Sequence, residues 1–123
     1  MSVYARVYDA LTTSATLGAL VGDHIYPIRA YQEAGYPAVV YRRASGDRAY
    51  DMSGYSTLEN ALIELAVHAT AVTARRLVSD AAINAISSAT AFRGIIVASP
   101  MDEYDDEVNV YTRTYEVSIW NKE

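Results

Sequence analysis

Ala19-Leu20-Val21-Gly22-Asp23-His24-Ile25-Tyr26-Pro27-Ile28, followed by Gly35-Tyr36-Pro37-Ala38-Val39-Val40-Tyr41-Arg42-Arg43-Ala44-Ser45-Gly46-Asp47, is where a helical pattern gives way to a strand pattern. Gly22 supplies the left-handed backbone that commonly ends a helix, and Asp23 tightens the turn after it. Tyr26 and Tyr36 each precede a proline, which pushes their backbone towards the extended region. Residues 29–35, between the two Tyr-Pro pairs, are polar and read as a loop. The β-branched and aromatic content of residues 38–45 predicts a strand. The whole stretch carries no reaction chemistry and reads as scaffold that joins a helical layer to the first strand of a sheet.

Upstream of it, Tyr4, Val7, Tyr8 and Leu11 fall at i, i+3, i+4 and i+7, one apolar stripe, with Arg6 and Asp9 facing away. That spacing predicts a helix over residues 3–13. Ser14 is placed to cap a short second helix through Leu20, with Leu17, Leu20 and Val21 continuing the apolar face.

Downstream, residues 46–57 mix glycine, serine and charge with Tyr50, Met52 and Tyr55, and read as a long hairpin connection. Residues 58–69 then alternate: Ile63, Leu65 and Val67 against Glu64, Ala66 and His68, the period of a sheet with one covered face. Thr70 is placed to cap the main helix, residues 71–89. Ala74, Leu77, Val78, Ala81 and Ala85 share one face of that helix, and Val72, Ile83 and Ile86 lie on another side. A helix apolar on two sides buries both, or offers one to a partner. Residues 93–99 read as a strand whose unbroken Ile95-Ile96-Val97 run suits a central position, ended or bulged by Pro100. Residues 101–107 read as an acidic turn, and residues 108–120 as the closing strand. The order predicts an α+β domain of two layers, an antiparallel four-stranded sheet with helices packed on one face.

At 123 residues the chain suits a single domain, 1–123. Its hydrophobic fraction of 51% is that of a folding chain. No apolar run approaches the roughly 20 residues of a membrane span, and the N-terminus lacks the pattern of a signal peptide. Cysteine is absent, which excludes disulfides, thiolate zinc sites and cysteine nucleophiles. Ten Lys and Arg against fifteen Asp and Glu give a net charge of −5, the wrong balance for gripping phosphates, though compatible with DNA that slides past. Eleven tyrosines against one phenylalanine favour surfaces that are wet before assembly and dry after it.

Candidate chemistry is thin. His24 lies beside a turn and His68 at a strand end, and no nucleophile-elbow or nucleotide-binding signature accompanies them. Asp102, Glu103, Asp105, Asp106 and Glu107 offer hard oxygen ligands, but without the spacing of a calcium loop. Neither a metal nor a cofactor is expected. Arg42, Arg43 and Arg48 form the only dense basic patch. One copy's Asp105 and Asp106 meeting the next copy's Arg42 and Arg43 would give a head-to-tail ring.

The N-terminal helix, the Leu20-Val21-Gly22-Asp23-His24-Ile25-Tyr26-Pro27 turn and the Tyr36-Pro37-Ala38-Val39-Val40-Tyr41 strand entry together resemble a phage family. So do residues 62–86 and the closing Tyr115-Glu116-Val117-Ser118-Ile119-Trp120. The family is the tail completion proteins of long-tailed bacteriophages, also called tail-to-head joining or tail terminator proteins, and the resemblance runs from Tyr4 to Asn121.

It implies a non-enzymatic virion component, made in the host cytoplasm, that assembles as a hexameric ring on the completed tail tube. Such a ring offers a surface to the head connector and lets DNA through unread. The expected partners are further copies of the chain, the tail tube protein and the head connector protein, with no membrane. Tyr50, Met52 and Tyr55 are the expected tube or partner contacts; Arg42, Arg43, Asp105, Asp106, Val72, Ile83 and Ile86 are the expected subunit contacts. The competing readings are an adaptor or head-closure protein of the head–tail connector, a small hydrolase or metal-dependent enzyme, and a monomeric ligand-binding domain.

Overall fold

A computed structural model of the chain describes residues 3–22, 24–27, 36–51, 54–89, 92–96, 100–106 and 109–122. Within them the elements are α1 (Val3–Thr13), α2 (Ala15–Val21), β1 (Ile25–Pro27), β2 (Ala38–Asp51), β3 (Gly54–Ala69), α3 (Val72–Ser87), β4 (Arg93–Ile96), β5 (Met101–Asp105) and β6 (Val110–Lys122). Asp23 and the expected 29–35 loop lie outside the described residues.

The class is α+β, with helices on one side of the sheet, but the sheet has six strands where four are expected. Its order is β1-β2-β3-β6-β4, with β5 also paired to β6. All pairings are antiparallel except β1 with β2, which is parallel. The extra strands are β1, three residues beside Val39–Tyr41, and β5, which occupies most of the expected acidic turn.

Local chemistry explains the helical layer. Ser14 caps α2, its hydroxyl accepting from the Leu17 amide at 3.2 Å, which satisfies one of the amides a helix start leaves free. Gly22 ends α2 at φ 61° and ψ −122°, so its positive φ is as expected while its ψ lies outside the left-handed helical region. The start of α3 differs from the reading: its cap is Ala71, with no side-chain hydrogen bond, rather than Thr70.

The core lies between the helices and one sheet face. Val7 and Leu11 of α1 and Leu17 and Val21 of α2 meet Ile63, Leu65 and Val67 of β3 and Val117 and Ile119 of β6. Each such side chain, buried, contributes roughly 1.5–3 kcal/mol. Tyr8 sits at the border of the α1 stripe and is exposed. Tyr41 is buried near Tyr4 and Tyr8, and burial, with their charges and that of Asp9, pushes its hydroxyl up to about 12.

On α3 the buried face is Val78, Ser79, Ala81, Ala82 and Ile86. Leu77, expected on the core face, is exposed, and Ile86, expected on the partner side, is core. Ile83 is also packed against the core. Of the three residues expected on the second apolar side, Val72 alone is exposed.

The remaining corrections concern the strands. β2 and β3 run far into the expected hairpin connection, pairing Tyr50 with Tyr55 and Asp51 with Gly54. β4 is an edge strand, not a central one, and its Ile95 and Ile96 are exposed. β4 and β5 both lie along the outer side of β6, facing 117–120 and 110–114 respectively. From Ile96 to Met101 the chain advances five positions while its partner advances three, Val117 to Thr114. The register along the outer edge therefore shifts by two residues between β4 and β5.

Candidate functional site

The two histidines are occupied by structural contacts. His24 Nδ1 lies 3.2 Å from the Pro37 carbonyl oxygen, and its ring stacks on Tyr26. His68 Nδ1 lies 2.9 Å from Thr112 Oγ1 across the β3–β6 pair, and burial lowers its pKa. Among the described residues no group of three or more His, Asp or Glu side chains is placed to hold a metal ion.

The surfaces are more informative. Because opposite residues in a ladder share a face, the register divides the sheet cleanly. Ala61, Ile63, Leu65 and Val67 lie under the helices, and Leu62, Glu64, Ala66 and His68 lie on the open face, each half-buried. Thr112, Thr114, Glu116 and Ser118 of β6 share that open face. Its border along β4 and β5 carries Ile95, Met101 and Trp120, all exposed.

Arg42 belongs to the open face. It stands opposite Glu64, and its Nε and Nη2 reach Glu64 Oε2 at 2.7 and 2.6 Å. Its charge is thus already engaged within the chain. Arg43 adjoins the β1-side edge of the sheet, where its amide donates to the Tyr4 hydroxyl at 2.8 Å. Asp105 ends β5 opposite Val110, and Asp106 begins the turn beyond it. The expected basic and acidic residues therefore sit on opposite edges of the sheet. They are not level, however: Arg42 is in the row of Glu116 and Asp105 in that of Val110, a separation of roughly 20 Å along the strands.

Sequence reading missed one cluster. Asp102, grouped above with the possible cation ligands, accepts from Arg113 Nε at 2.7 Å and Nη2 at 3.1 Å, and Arg75 Nη2 of α3 lies 3.7 Å away. The Arg75 guanidinium also sits 5.9 Å from the centre of the Tyr111 ring, which packs against Tyr104 at 4.6 Å. The hydrogen bond from Arg113 holds the Asp102 carboxyl below the usual carboxylate range, and the same bond raises Arg113. This cluster ties β5 to β6 and to the start of α3. Its one sequence signal was the alternation of Asp102 and Tyr104 with Met101 and Glu103.

Among the described residues, two of the surface hollows are well defined. One, of about 580 Å³, separates α1 and α2 from α3 and is lined by Arg6, Asp9, Ala10, Asn84, Ala85 and Phe92 among others. The other, of about 530 Å³, lies on the open face between Tyr36, His68, Glu103 and Thr112. Neither gathers a catalytic constellation.

The β2–β3 hairpin projects. The last pairing of β3 with β6 is Leu58 with Lys122, while β2 and β3 stay paired to Asp51 and Gly54. Tyr50 and Tyr55 stand opposite one another in this two-stranded arm. Met52, and the side chains of Arg48, Tyr50 and Tyr55, lie outside the described residues.

Comparison with known proteins gives a consistent picture. The family model for Tail completion protein gp17 matches residues 5–122. No curated protein matches the chain. Among solved structures, a chain from the virion of a native gene transfer agent particle superposes with a TM-score of 0.63 at 17% identity, covering 97% of this chain and 93% of that one. At that identity the likeness establishes the fold.

Proposed function

We propose, on the premise that this chain belongs to the tail completion protein gp17 family, that it is a non-enzymatic subunit of a ring, a hexamer, that closes the end of a phage tail tube. The observation that carries this reading is the family match over almost the whole chain, residues 5–122. The ring presents one surface to the tube protein and another to the head connector, and its place is the virion at the head–tail junction. Net charge of −5 suits a wall past which DNA moves without adhering.

The geometry supports this reading in two ways. The basic and acidic candidates Arg42, Arg43, Asp105 and Asp106 lie on opposite sheet edges, the arrangement of a heterologous, ring-forming contact. The arm formed by the ends of β2 and β3, with Tyr50 opposite Tyr55, stays paired beyond the last β3–β6 pair, where it can touch tube or neighbour, and Met52 is kept as a candidate from the sequence. Val72 remains a candidate contact on α3; the buried Ile86 is withdrawn, and Ile83 belongs with the core.

The test is solution mass together with negative-stain microscopy, on the protein alone and with purified tail tubes. Rings, free or seated on tube ends, and arrested tube growth are the expected result. A persistent monomer that neither binds tubes nor stops their growth overturns the reading.

A further inference from the structure

Through the part of the sheet that bears β4, the strands run β2-β3-β6-β4 and every pair is antiparallel. Register places Asp47, Asn60, Trp120 and Arg93 in one row, and Ser45, Leu62, Ser118 and Ile95 in another. β1 stops opposite Tyr41. Past the Arg43 amide, which the Tyr4 hydroxyl takes up, the outer side of β2 has no strand partner among the described residues. Neither has the outer side of β4. Both edges, open among the described residues, thus lie at the same height, on either flank of a four-stranded stretch.

The polarity of these edges matters. Three successive reversals leave β4 antiparallel to β2. A second copy, moved sideways without being turned over, therefore brings its β2 antiparallel to the first copy's β4. The alternation continues unbroken through any number of copies, and a closed ring leaves neither edge free. One row ends in Arg93 on β4 and in Asp47 on β2, and opposite charges in directly opposed positions favour pairing. Ile95 and Ile96, 48% and 41% exposed, leave β4 without the proline or lysine that usually guards an open edge.

We propose that β4 of one copy pairs antiparallel with residues 44–47 of β2 in the next, joining the subunit sheets edge to edge. This rests on the ring reading above and specifies its contact. The binding mode is strand addition, in which main-chain hydrogen bonds supply affinity and alternate side chains supply register.

The absence of cysteine makes a clean test by cross-linking. Arg93→Cys is combined in turn with Asp47→Cys and Ser45→Cys, the β2 positions in the rows of Asn60 and Leu62, which cover staggers of zero and two rows. Within one subunit the zero-stagger pair is three strand spacings apart, roughly 14 Å, twice the roughly 7 Å that a disulfide spans between Cα atoms. Any disulfide must then join two copies. After mild oxidation of assemblies on tail tubes, at least one double variant is expected to give a ladder of covalent multimers on non-reducing gels, with Arg93→Cys alone remaining monomeric. Rings visible by microscopy whose double variants all stay monomeric overturn the edge contact and leave the ring reading intact. Equal dimer from Arg93→Cys alone points to β4–β4 pairing and also overturns it. If no rings form on tubes, the ring reading fails, and this contact with it.

Discussion

Gly94 allows a quantitative test of how β4 is held. A Cβ added there would lie 2.9 Å from Ile86 Cγ2, 3.4 Å from Val117 Cγ1 and 3.6 Å from Phe92 Cε2. The first distance is a clash with a β-branched side chain on a helix, whose χ1 has one strongly preferred well. The glycine is not at positive φ, so an alanine meets steric cost and no backbone cost. Overpacking of this kind costs about 1–3 kcal/mol, and the lower entropy of the unfolded alanine chain returns about 0.4–1 kcal/mol. Gly94→Ala should therefore destabilise by about 1–2 kcal/mol, read as a lower urea midpoint at unchanged slope. Ile86→Ala alone should cost about 2–5 kcal/mol, and it removes the clashing methyl. In that background Gly94→Ala should cost nothing or stabilise, a coupling of about 1 kcal/mol or more. A Gly94→Ala protein as stable as the parent refutes the argument. So does an equal cost in both backgrounds, within about 0.5 kcal/mol.

Four further outcomes follow from the geometry. Ser14→Ala removes the α2 cap and should lower stability by about 1 kcal/mol, with Ser14→Asp nearly neutral, by the same urea titration. Ser79 is fully buried and its hydroxyl has no hydrogen-bond partner among the described residues, so Ser79→Ala should raise the urea midpoint by the equivalent of about 1 kcal/mol; a fall would reveal a partner for that hydroxyl. His68 is held neutral, its pKa below the ordinary 6.5. The unfolded chain then binds a proton that the fold resists, and stability should fall as pH drops below about 6.5 until the lowered folded value is passed; His68→Gln should remove that slope. Asp102 has a lowered pKa from its bond to Arg113, so its contribution is present above the ordinary 3.8 and lost as pH falls through the folded value. Asp102→Asn should mimic the acid state at neutral pH and speed amide exchange in β5 more than in β3, as seen by hydrogen-exchange mass spectrometry.

Where sequence and structure agree, local chemistry was sufficient. The stripe Tyr4, Val7 and Leu11 located α1 at Val3–Thr13, Ser14 and Gly22 marked the ends of α2, and alternation from Ile63 to Val67 identified both β3 and its covered face. The failures are tertiary. β1 has three residues, too few for any period, and exists because β2 lies beside it. β5 looks like a solvated acidic turn until Arg113 and Tyr111 are brought opposite Asp102 and Tyr104. The run Ile95-Ile96 suits a buried strand or an open edge equally well, since periodicity does not distinguish them. On α3, Ile86 was placed on the wrong side because Val72 and Ile83 were grouped with it, while its contact with Gly94 came from a strand that follows later in the chain. Of the candidate contacts, the opposition of Arg42 and Arg43 to Asp105 and Asp106 was legible as charge. Their difference in height was not, because register is a property of pairing.

The shift of register between β4 and β5 acts as a length filter. Stacking of identical strands into amyloid-like fibres draws on straight segments of about six or seven residues. Here the outer edge is divided into pieces of four and five, each shorter than that. An apolar edge can thus stay available to a partner that matches its short length, while the longer zippers of irreversible aggregation find too little strand to grip.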